Sequence, residues 1–124
     1  LNIFFKNNKI RLDNFFFIDA ITKSVKSVEN TENCVFVSSP NSLTELNVEI
    51  NKVVNEQKSK FIIFDSLSTL LIYHKDNIIS KFVQNLINKY SGTESNLVFT
   101  IASKDKESIL FKNLQMFINK VIEI

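Results

Sequence analysis

Phe61-Ile62-Ile63-Phe64-Asp65-Ser66-Leu67-Ser68-Thr69-Leu70-Leu71 is the stretch on which the fold of this chain turns. Four consecutive apolar residues mark a strand covered on both faces, as strands of parallel sheets are. The run stops abruptly at a carboxylate. Ligands of open α/β sheets bind beyond the carboxyl ends of the strands. Asp65 and Ser66 therefore fall where chemistry would sit.

The same pattern repeats outward from this stretch. Upstream, Phe15-Phe16-Phe17-Ile18 is an apolar run ended by Asp19, and Val35-Phe36-Val37 is another, ended by Ser38-Ser39-Pro40. A helix follows with Leu43, Leu46, Ile50, Val53 and Val54 on one face, and Ser42 with Glu45 three residues on predicts a capping box at its start. Downstream, residues 66–75 read as a turn region. Ile78, Ile79, Phe82, Val83, Leu86, Ile87 and Tyr90 then recur at helical spacing, with Asp76 or Asn77 as cap and Gly92 as terminator. Leu97-Val98-Phe99-Thr100-Ile101 is a fourth strand. Ile109, Leu110, Leu114, Phe117 and Ile118 line a last helix, and Val121-Ile122-Glu123-Ile124 reads as a closing strand. Leu1, Phe4 and Phe5 look like the tail of a helix, and a first residue that is not Met suggests that an N-terminal portion is missing.

Strands alternating with helices of this length imply right-handed βαβ crossovers. The expected architecture is a three-layer α/β/α sandwich with a mostly parallel sheet, formed by residues 1–124 as one domain. The chain of 124 residues, 44% hydrophobic and 23% charged, suffices for a core. Its net charge of +2 comes from 15 basic and 13 acidic residues in interspersed order, which gives no strong nucleic-acid signal. No apolar run approaches the roughly 20 residues of a membrane helix.

Glycine sets the sharpest exclusion. The chain has one, Gly92. A Walker A loop closes backbone N–H groups around phosphate and needs two glycines before its Lys, and a dinucleotide fingerprint needs three. Neither can be written with these residues, so the chain by itself is not expected to hydrolyse ATP. The twelve Phe, with abundant Asn, Lys and Ile, fit an AT-rich coding sequence.

Among candidate site residues Asp65 leads, because residues 61–66 have the form of a Walker B strand. There an aspartate supplies an oxygen to nucleotide-bound magnesium. The alternative is that Asp65 and Ser66 cap the next turn. Asp19 is a weaker candidate of the same kind. His74 lies in a polar loop and reads as solvated; a Ser66–His74 nucleophile pair is a remote option. Lys104 and Lys106 follow the fourth strand and read as a solvated loop. The Phe15-Phe16-Phe17 run reads as core. Cys34, the one cysteine, reads as a buried inert thiol, and its isolation places the chain in a reducing, cytoplasmic compartment. One Cys and one His make no structural zinc site.

Residues 15–19, 39–46, 61–73 and 116–124 together resemble an archaeal group of KaiC/RadA-like, RecA-superfamily proteins, over almost the whole chain. Asp65-Ser66-Leu67-Ser68-Thr69-Leu70-Leu71 is the most specific part. The resemblance implies a RecA-like fold, Asp65 at the magnesium-aspartate position, Ser66 beside it in the cofactor site, and Mg-ATP as the candidate cofactor. It also implies self-association or a protein partner. Two functions stay open: a non-catalytic, degenerate domain acting as a regulatory or interaction module, or a fragment of an active ATPase whose Walker A loop lies upstream of Leu1.

Overall fold

The computed structural model describes residues 6–124. The expected helical tail at Leu1, Phe4 and Phe5 lies outside them. The chain divides into two compact units, Leu1–Lys58 and Ser59–Ile124.

In the first unit, strand β1 (Phe17–Asp19) pairs in parallel with β2 (Cys34–Phe36), Ile18 standing opposite Val35. The ladder continues at both ends, where the Phe17 N–H donates to Asn33 O and the Val37 N–H to Asp19 O. Phe15 and Phe16 fall before β1, and the Phe15 ring stacks on Phe17 with centroids 6.2 Å apart. Helix α1 (Leu43–Gln57) follows and buries Leu46, Ile50 and Val53, three of the five residues its apolar spacing selected, with Leu43 and Val54 half-buried. Val37 completes the buried apolar set among the described residues of this unit.

The capping box expected at α1 does not form. Ser42 makes no side-chain cap bond. Glu45 instead accepts the Ser38 N–H at 3.0 Å and the Ser38 hydroxyl. Ser38 offers two donors to one carboxylate, and a charge-assisted pair outcompetes a single contact to the Ser42 amide. The helix ends at Lys58, whose φ of 50° is left-handed and whose N–H donates to Val54 O.

In the second unit, β3 (Phe61–Phe64) pairs in parallel with β4 (Asn96–Phe99), with Phe61 opposite Asn96 and Phe64 opposite Phe99. Helix α2 (Leu67–Tyr73) occupies the region read as a turn, and α3 (Asp76–Tyr90) and α4 (Ile109–Leu114) complete the unit. Their buried residues form one core: Leu67, Leu70, Ile79, Phe82, Val83, Leu86, Tyr90, Leu110 and Leu114. Phe64 joins it through an edge contact to Phe82, with centroids 5.9 Å apart. Gly92, at φ 77°, follows α3 as its terminator.

Each sheet has two strands, so the chain is α/β with small parallel sheets. Four expectations are corrected here. Strand β3 is not covered on both faces: Ile63 is 61% exposed and Phe61 64%, while Ile62 and Phe64 are half-buried. With side chains alternating along a strand, core on one side alone produces this pattern. Neither Asp76 nor Asn77 caps α3; Lys75 holds the cap position, and Asp76 Oδ2 instead accepts the Leu110 N–H at 2.9 Å. The last helix stops at Leu114, leaving Phe117 exposed, and residues 121–124 are exposed and in no strand. An apolar run becomes a strand only beside a hydrogen-bonding neighbour, and among the described residues these four have none.

Candidate functional site at the carboxyl ends of strands 3 and 4

Parallel pairing brings the C-terminal ends of β3 and β4 to one edge, and Asp65 and Thr100 are the first residues beyond the two strands. The backbone there is cross-linked. The Thr100 N–H donates to Phe64 O at 3.0 Å, and the Leu67 N–H donates to Thr100 O at 2.9 Å. Those two bonds fall on either side of Asp65 in the sequence. A third link follows, where the Ala102 N–H donates to Ser68 Oγ at 2.8 Å.

Side chains complete the arrangement. The Thr100 hydroxyl donates to Asp65 Oδ1 at 2.5 Å. The second carboxylate oxygen has no partner among the described residues, and Asp65 is exposed. Ser66, joined to Asp65 by a cis peptide bond, is the N-cap of α2. Its Oγ accepts the Thr69 N–H at 3.3 Å and lies 3.1 Å from Thr69 Oγ1. This is the helix-capping geometry that serine favours in an extended conformation. Asp65 and Ser66 thus stand side by side with different duties: Ser66 is engaged by its own helix, whereas Asp65 offers an oxygen outward.

The other sequence candidates fall elsewhere. Asp19, at the end of β1, accepts the Ile21 N–H at 2.9 Å, the Thr22 N–H at 2.8 Å and the Thr22 hydroxyl at 2.6 Å. Burial pushes its carboxyl up, but the Thr22 and Ile21 hydrogen bonds and the charge of Lys26 outweigh this and leave it below the ordinary range. Asp19 is a turn-maker. His74 closes α2, donating its backbone N–H to Leu70 O. Ser66 and His74 cap opposite ends of that helix, about 12 Å apart at 1.5 Å per residue, so they form no nucleophile pair. Lys104 sits in the 3-10 turn Ser103–Asp105, and Lys106 pairs with Glu123. Cys34 is half-buried; burial first, and the Asp19 charge second, push its thiol up, as for an unreactive cysteine.

Magnesium is a hard cation that keeps several waters and takes one or two carboxylates beside substrate phosphates. Asp65, exposed and with an unengaged oxygen, fits that requirement. No group of three or more metal-ligating side chains occurs among the described residues, so a dedicated protein cage for a metal is not what this edge offers. The sequence singled out Asp65 and Ser66 as candidates but not Thr100 or Ser68, which the structure brings beside them. The position of Thr100 at the end of a strand run was a signal, yet only the strand register puts it opposite Asp65.

A parallel α/β unit with a carboxylate presented at its strand ends has the form of an ATPase-like domain. The family model "ATPase: KaiC" matches residues 7–123. That is nearly the whole chain, and the chain belongs to the KaiC ATPase family. No curated protein and no solved structure gives a significant match. No helix among the described residues is long and apolar enough to cross a membrane.

Proposed function

We propose that these residues act as a non-catalytic KaiC-like domain, a regulatory or protein-interaction module that binds magnesium–nucleotide through Asp65 without hydrolysing ATP. The observation that carries this reading is the single glycine. Gly92 follows helix α3 rather than a strand, and no Gly-Lys-Ser/Thr loop can be built from these residues to hold the phosphates for transfer. Asp65 would hold the magnesium through its outward oxygen, with Ser66 beside it keeping α2 in register. Bound magnesium would supply positive charge to the nucleotide phosphates. Parallel pairing in both sheets supports taking residues 1–124 as one RecA-like, three-layer domain. Its partners are proteins, copies of this chain included, by analogy with RecA-like assemblies. A lone cysteine suits a cytoplasmic setting.

A second reading is favoured by the outward oxygen of Asp65, which an active ATPase would also require. In it these residues are a fragment of a KaiC/RadA-type enzyme whose Walker A loop lies upstream of Leu1. Reading the codons before Leu1 for a Gly-Lys-Ser/Thr loop distinguishes the two.

The test is calorimetric titration of ADP and ATP with and without magnesium, together with phosphate release. The expected result is magnesium-dependent binding that Asp65→Ala removes, and no steady turnover. Turnover abolished by Asp65→Ala would sink the non-catalytic reading. Failure to bind either nucleotide would remove Asp65 from the site.

A further inference from the structure

We infer that Thr100 is a positioning residue for the magnesium ligand Asp65, an inference that rests on the reading of Asp65 just given. The geometry has two parts. The first is the backbone of Thr100, which is tied at its N–H to Phe64 and at its carbonyl to Leu67, the residues nearest Asp65 on each side that the ladder can reach. Thr100 therefore cannot shift along the edge without breaking the pairing of β3 with β4.

The second part is the side chain. A β-branched residue has few χ1 choices, so a fixed backbone fixes the direction of the hydroxyl. That hydroxyl donates to Oδ1 of Asp65 at 2.5 Å. A carboxylate on an exposed edge otherwise samples several rotamers, and ordering it costs free energy at the moment a ligand binds. With Oδ1 held, Oδ2 is the oxygen presented to a hard cation, and the ordering is complete before the cation arrives. Hydrogen bonds to charged groups are stronger than neutral ones, which suits an exposed position where water competes. Thr100 touches neither cation nor nucleotide in this account; it acts through Asp65.

The experiment uses the full 124-residue chain and ADP as probe. It measures the ratio of ADP affinity in magnesium to ADP affinity in chelator. A merely structural role would lower both affinities alike and leave the ratio unmoved. Thr100→Val is expected to reduce the ratio about tenfold, the scale of one hydrogen bond to a charged group. Thr100→Ser, which keeps the hydroxyl, should restore most of it. In an Asp65→Ala background Thr100→Val should change nothing further. Should the valine variant fail to fold, Thr100→Ala at this exposed position carries the same comparison.

An unchanged ratio in Thr100→Val, with Asp65→Ala still abolishing magnesium dependence, overturns the role of Thr100 and leaves that of Asp65 standing. Loss in both the valine and serine variants overturns it too, because packing rather than the hydroxyl would then be responsible. A wild-type chain with no magnesium dependence overturns both readings together.

Discussion

Asp19 and Asp65 end strands of nearly the same composition, one in each unit of the chain, yet the structure uses them in opposite ways. Asp19 turns back on the residues that follow it, filling both oxygens with the amides of Ile21 and Thr22 and the Thr22 hydroxyl. Asp65 is followed by Ser66, which caps α2 in its stead, and among the described residues its side chain is bonded by Thr100 alone, 35 residues away. The difference lies in the next few residues rather than in the motif. Where the aspartate must make the turn itself, its oxygens are consumed; where a serine makes the turn, the aspartate is left to present an oxygen. The surroundings differ as well. Among the described residues the second unit buries nine large apolar residues and the first four, so Asp65 stands on the better-packed platform.

Substitutions at three positions probe this contrast. The largest effect is expected from Leu86→Ala, at the fully buried centre of α3, which should cost about 2–5 kcal/mol in denaturant unfolding. A cost near zero would break the picture of a packed platform beneath the site.

Asp19→Ala comes next. It strands two backbone amides and should cost about 1–2 kcal/mol, the scale of a lost cap, while nucleotide affinity stays unchanged. The pH dependence follows from the depressed carboxyl. Its stabilising contribution is present above the unfolded value of about 3.9 and is lost as pH falls through the lower folded value. Asp19→Asn should therefore flatten the wild-type loss of stability below about pH 4. A variant as acid-sensitive as the wild type would mean that Asp19 is not the group responsible.

The smallest effect is expected from Ile63→Ala. With 61% of its surface exposed, it should cost less than about 1 kcal/mol. A cost of core magnitude would show that its face of β3 is covered in solution.

These contrasts also measure how far the sequence could be read. Strands β1 to β4 and helices α1 and α3 were legible because apolar runs and helical spacing are local signals. Helix α2 was not, because Leu67, Leu70 and Leu71 lie too close behind β3 to show a period of their own; Ser66 followed by Thr69 was the missed cue. The capping box failed because Glu45 found Ser38, a donor pair seven residues back. The closing strand at Val121-Ile122-Glu123-Ile124 failed because pairing is decided by a neighbour, not by the run. For the candidate site, Asp65 was readable from its strand. Thr100 was not, since the register of Phe64 with Phe99 is fixed only when the two strands meet.

Lys58 shows a wider consequence of the chain's composition. A left-handed residue closing a helix is ordinarily glycine, and a lysine held at φ 50° carries a penalty of about 1 kcal/mol. The shortage of glycine that denies these residues a phosphate loop also denies α1 its usual terminator. In evolutionary terms the chain holds an unused reserve of stability at this position, reachable by a single substitution that touches neither Asp65 nor Thr100.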